Sequence, residues 1–192
     1  MANVRLDGMR VAILLGDNFE QVEMTEPRKA LDAAGARTTL ISPVQGQIHG
    51  VAHDKDPQDT FSVELPLEQA NPDDFDALLL PGGALNADST RTLPNVQKFV
   101  RKVEQAGKPM AVICHAPWLL VSAGLVKGRT LTSYHTLQDD IRNAGGTWLD
   151  LDVVRDGNLV TSRQPSDIPA FNSEMLPLFA EYREHAPLRH AA

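Results

Sequence analysis

GKPMAVICHAPWLLVSAG, residues 107–124, carries an apolar strand over 109–113 straight into Cys114, and a helical segment over 115–123 opens at once with His115-Ala116-Pro117. Proline suits the first turn of a helix, where no backbone donor is lost. A strand that passes into a helix without a loop forms an elbow: the sharp turn lifts the Cys114 side chain above the sheet, and unpaired helix N–H groups point toward it. The dipole of such a helix start favours an anion and predicts a stabilised thiolate. A buried cysteine that merely packs is the commoner state of a lone thiol, and spacing alone admits both readings.

On either side of this unit, apolar runs alternate with segments of helical period, the pattern of a parallel sheet covered on both faces. Strands are expected over 10–15 and 37–42, with a helix over 27–34 between them: Thr25 as its cap, Pro27 in its first turn and Gly35 as its stop. Residues 45–71 read weakly, with one alternating piece over 61–65 as a short antiparallel excursion. A strand over 76–80 ends in Pro81-Gly82-Gly83, and a helix follows over 94–105. Later elements are strands over 130–134, 147–154 and 159–162, a helix near 137–144 and a closing helix over 166–184. The expected fold is a three-layer α/β/α sandwich with a mostly parallel, flavodoxin-like sheet. It forms one domain over 1–192 with its core at about 10–184 and a loose tail over 185–192.

Eighteen basic and 25 acidic residues give a net charge of −7. That balance opposes a sequence-independent hold on a phosphate backbone, so no stable nucleic-acid partner is expected. One cysteine can form neither an intramolecular disulfide nor a thiolate metal cluster, so neither metal nor cofactor is expected. The amino-terminal MANVRLDGMRVAILLGD holds only 11–15 as an unbroken apolar run, too short for a signal-peptide core or a membrane span. The expected compartment is cytoplasmic and reducing.

AVICHAPWLL, with LLLPGG before it, FEQVE near the start and TSRQP near the end, resembles the PfpI family, in the superfamily of deglycases and intracellular cysteine proteases. The resemblance covers about residues 10–180 with the motifs in family order, and it moves the reading of Cys114 to a nucleophile. It implies His115 as general acid/base, and Glu23 as the acid that contacts the cysteine sulfur, with Glu20 three positions earlier. A carboxyl that hydrogen-bonds a thiolate must be protonated, so the Glu23 pKa should be raised. Gly82 and Gly83 leave backbone N–H groups free, and the N–H groups of Gly83 and His115 are implied as oxyanion donors.

The resemblance also implies an acid from a neighbouring subunit, shortly after the double glycine. In GGALNADSTR the only acid is Asp88, one residue farther along than in the family and Asp where proteases of this type have Glu. A homodimer or higher oligomer with an inter-subunit site is therefore expected. Tyr134 keeps a family-like place near the cysteine, His135 stands where the family has proline, Ala116 replaces a glycine, and Arg163 is read as architectural support.

Two functions follow. One is an enzyme whose Cys114 thiolate adds to an electrophilic carbonyl, implied by the resemblance to be of glyoxalase or deglycase type, or an amide hydrolase acting on small peptides. The other is a redox-sensing stress protein or chaperone whose Cys114 is oxidised to sulfenic or sulfinic acid. A class I glutamine amidotransferase would need a late His-x-Glu pair, and none occurs after residue 135.

Overall fold

The apolar runs assigned to strands assemble into one seven-stranded sheet. The computed structural model describes residues 4–185, so the tail expected over 185–192 lies, from residue 186, outside them. In chain order the strands are β1 (Arg10–Leu14), β2 (Phe19–Glu20), β3 (Arg37–Ser42), β4 (Gln47–Ala52), β5 (Asp56–Ser62), β6 (Leu65–Pro66), β7 (Ala77–Leu80), β8 (Met110–Ile113), β9 (Thr130–Leu131), β10 (Thr147–Trp148), β11 (Val153–Asp156) and β12 (Leu159–Ser162). The helices are α1 (Gln21–Ala33), α2 (Ala84–Arg91), α3 (Pro94–Gln105), α4 (Pro117–Ser122), α5 (Gln138–Asn143) and α6 (Ile168–His185).

The main sheet runs β11-β12-β8-β7-β1-β3-β6, parallel throughout except for β11 against β12. Its five central parallel strands follow the flavodoxin-like order, with the topological switch between β1 and β7, so the crevice for a ligand lies past their carboxyl ends. Alternation along each strand sorts the core into two layers. Val11, Ile13, Leu79 and Ile113 face Met24 and Leu31 of α1 and Phe171, Met175 and Phe179 of α6. Ala12, Leu14, Leu78, Leu80 and Val112 face Val96, Phe99 and Val103 of α3, Leu119 and Leu120 of α4 and Ile141 of α5.

Several local expectations are corrected. The first helix starts at Gln21, six residues before Pro27, because Glu23, Met24, Pro27 and Leu31 form one buried stripe along α1. Pro27 removes one hydrogen bond inside the helix, and Thr25 is no cap, since its hydroxyl donates back to the Gln21 carbonyl. The excursion in the middle of the chain is a hairpin of β4 and β5, longer and earlier than 61–65, and it joins β2 in a second sheet. Residues 84–91, to which the sequence assigned no element, form α2, with Asn86, Ala87 and Thr90 as its buried side. The strand expected over 147–154 is two strands, β10 pairing with β9 in a separate two-stranded sheet and β11 joining the main one, and the strand expected over 130–134 ends at Leu131.

Candidate active site

Cys114 follows β8 with φ +63, a left-handed conformation that costs a non-glycine residue about 1–2 kcal/mol. Its surroundings hold it there. The Cys114 N–H donates to the Ser162 carbonyl at the end of β12, its carbonyl accepts the Tyr134 N–H, and the Ala116 N–H closes the turn onto Ile113. The elbow is thus present, with α4 beginning only at Pro117 and six residues long. The turn brings the Cys114 Sγ to 3.2 Å from the His115 Nδ1.

Beside it, the turn after β7 leaves no room for side chains. A Cβ on Gly82 would lie 2.5 Å from the Glu23 Oε2 and 2.7 Å from the Cys114 Cβ; one on Gly83, at φ +94, would lie 2.6 Å from the Glu20 nitrogen. The Gly82 N–H donates to the Glu23 Oε2 at 2.9 Å, while the Gly83 N–H interacts with the Cys114 sulfur. Only the second glycine therefore offers its N–H on the cysteine side. Asn86, a residue sequence reading did not single out, fastens this turn: its Oδ1 accepts the Gly16 N–H and its Nδ2 donates to the Pro81 and Gly82 carbonyls.

Glu23 is wholly buried, and its Oε1 has no hydrogen-bond partner. Burial holds its carboxyl well above the usual range, the nearby Glu20 and Asp54 charges add to the rise, and the Cys114 thiol and the Gly82 N–H oppose it. The expected direction for Glu23 stands. The expected low thiol pKa does not: burial pushes Cys114 up against the pull of the Gly83 N–H. The physical reason is that Cys114 is 4% exposed while the helix whose dipole was to stabilise it starts three residues later. Burial also lowers His115, with the His135 charge acting the same way and the Asp54 charge opposing both. Burial thus favours the uncharged form of all three groups.

Glu20 does not reach the sulfur. Its buried carboxylate accepts the N–H groups of His53 and Asp54 at the tip of the β4–β5 hairpin. Asp54 in turn accepts the Ala84 N–H through Oδ1 at 2.6 Å. The hairpin tip so becomes one wall of a cavity of about 400 Å³ lined by Glu20, Glu23, Asp54, Cys114, Tyr134 and the 164–166 segment. Neither Asp54 nor His53 was legible as a site residue, because the hairpin carrying them showed no strand pattern.

The remaining expected residues divide. Tyr134 stacks on the His115 ring at 4.5 Å, and the His135 ring lies 4.5 Å from that of Tyr134. Arg163 supports the architecture through ion pairs with Asp150, Asp152 and Asp167, holding the segment that continues into the cavity wall. Ala116 is packed in the core and does not line the cavity. Asp88 lies on α2, well exposed, with its carboxylate held by Arg91 of the same helix turn. Among the described residues no group of three or more His, Cys, Asp or Glu is arranged to hold a metal, and no helix is long and apolar enough to cross a membrane.

A flavodoxin-like sheet with a cysteine at a left-handed elbow, an adjacent histidine and a double-glycine turn defines a class of α/β proteins with a cysteine-centred site. The chain belongs to the DJ-1/PfpI family, whose model matches residues 9–178. It is 42% identical over 170 residues to a deglycase of Pyrococcus abyssi, covering 88% of this chain and 99% of the relative. It is 38% identical over 170 residues to protein/nucleic acid deglycase 2 of Escherichia coli strain K12, covering 88% of this chain and 96% of that one. Among solved structures, Drosophila melanogaster DJ-1beta superposes with a TM-score of 0.80 at 25% identity, covering 92% of this chain and 96% of the other.

Proposed function

We propose that the protein is a cysteine-dependent stress-response enzyme acting on reactive carbonyls, their adducts on amines, or small amides, of the glyoxalase or deglycase kind. The observation that carries this reading is the Cys114 Sγ at 3.2 Å from the His115 Nδ1, on an elbow beside the Gly83 N–H. The deglycase names of the relatives support it.

The resting thiol needs a base at the moment of attack, and a neutral His115 supplies one. The Sγ–carbon bond forms as the thiol proton passes to Nδ1, and the carbonyl electron pair moves onto oxygen. The N–H groups of Gly83 and His115 steady the oxyanion. The imidazolium then returns its proton to that oxygen, giving a hemithioacetal from an aldehyde, or to a departing amine, leaving a thioester. In the methylglyoxal hemithioacetal a proton moves from C1 to C2 to give the lactoyl thioester, and water hydrolyses either thioester to release the acid and the thiol. Glu23, kept neutral by burial, adds no second negative charge beside the developing one.

The experiment is D-lactate formation from methylglyoxal by the purified protein and by Cys114→Ser. Loss of at least about 10³-fold in the variant, with an unchanged fold, is expected, because a serine hydroxyl is a far weaker acid than a thiol. Equal activity would overturn the reading. The redox-sensor alternative has one observation in its favour: the buried, unpartnered Glu23 Oε1 could donate a proton to an oxygen placed on the sulfur. Burial and the raised thiol pKa oppose its first step, which needs a thiolate. Formation of Cys114 sulfinate at two equivalents of peroxide would favour it.

A further inference from the structure

The β4–β5 hairpin turns through two successive non-glycine residues in left-handed conformation, His53 at φ +54 and Asp54 at φ +61. Such residues persist only where the surroundings over-determine them, and they gather at functional sites. Here the fixing group is the Glu20 carboxylate, itself 5% exposed, which takes both N–H groups with its two oxygens. Burying a carboxylate is costly, and this one holds a single object, the hairpin tip. Asp54 then bonds the Ala84 N–H, the donor next to Gly83. Asp54 shares the cavity with Cys114 and Glu23.

We propose that Asp54, carried on a hairpin of the same chain, is an acidic positioning residue of the Cys114 site, clamping the oxyanion turn and acting through its carboxylate charge on the His115 imidazole. The proposal rests on the cysteine–histidine reading above and adds to it an acid on the same chain. His115 meets Cys114 on its own turn and Tyr134 after β9, and the charges that act on its ring are those of Asp54 on the hairpin and His135. Of these the Asp54 carboxylate favours the imidazolium that forms as the thiol proton is accepted, whereas His135 opposes it.

Asp54→Asn separates clamp from charge. Asparagine tolerates the left-handed conformation and keeps the acceptor for Ala84, so the hairpin stays while the charge goes. Two readouts are taken on the full chain: the titration midpoint of the His115 ring by NMR, and the kinetics with methylglyoxal. The expected result is a lower His115 midpoint in Asp54→Asn and no change in Asp88→Asn, with kcat down about tenfold at pH 7 and KM little changed in the former. An unmoved His115 midpoint in Asp54→Asn, or a shift produced by Asp88→Asn instead, would overturn the proposal. The midpoint needs no turnover, so it decides on Asp54 even if Cys114→Ser proves fully active and the cysteine reading fails.

Discussion

The Cys114 Sγ and the His115 Nδ1 lie 3.2 Å apart although the two residues are neighbours in the chain. In a strand or a helix consecutive side chains diverge, and it is the left-handed backbone of Cys114, fixed from both sides by Ser162 and Tyr134, that lets them converge. A pair built this way is compact enough for one residue to attack and the next to carry the proton. It also makes the imidazole's protonation state the switch for the whole site.

The acid limb of kcat/KM should therefore follow His115. A base must be neutral to act, so activity is lost as pH falls through the His115 pKa, which burial places below the ordinary 6.5. The limb should lie on the acid side of 6.5. His135→Gln removes a positive charge that lowers the imidazole, and should move the limb upward by about a few tenths of a unit, the size set by solvent screening of an exposed group. Rates with methylglyoxal from pH 4.5 to 8 test both; a limb above 6.5 in the native protein would contradict a buried neutral base.

Gly83→Ala should cost about 3 kcal/mol, combining a backbone conformation reserved for glycine with overlap against the Glu20 nitrogen and the Phe19 Cα. Gly46→Ala is the comparison, because Gly46 has a similar φ, +82, and nothing within 4 Å of an added Cβ. It should cost only the backbone part, about 1–2 kcal/mol. Urea denaturation of both variants gives the difference. Equal losses would mean that the close approach of β2 to the turn carries no energy.

What the sequence makes legible follows from burial. The runs VAIL, ALLL and MAVI sit between helices on both faces, so they read as core strands and the elbow after Ile113 follows from them. The β4–β5 hairpin does not read that way: β5 has only Phe61 partly buried among seven residues, contains Pro57, and turns without a glycine. Asp54 reaches the site on that hairpin, 60 residues from Cys114 in sequence, so no local pattern could place it. The first turn of α1 was hidden by Pro27, and α2 by a buried side made of Asn86, Ala87 and Thr90. The thiol's proton affinity was misread for a related reason, since how deeply the sulfur is buried is a property of the packed elements and not of the motif.

Glu23 gives the sharpest stability signature. Its folded pKa is raised above the unfolded value, chiefly by burial. Below the unfolded pKa, about 4.3, the carboxyl is neutral in both states and costs nothing. As pH rises past that value the unfolded chain ionises while the folded one keeps its proton, so the folded state binds more protons and loses stability with each further step in pH. The loss continues until the raised folded pKa is passed. Glu23→Gln has nearly the same shape, can accept the Gly82 N–H as Glu23 does, and cannot ionise. The stability of Glu23→Gln minus that of the native protein should accordingly grow between pH 4.5 and 8, all other titrating groups being common to the two proteins. Urea denaturation midpoints at half-unit steps measure it. A difference that stays flat over that range would show that Glu23 ionises normally in the fold, and the neutral acid beside Cys114 would have to be abandoned.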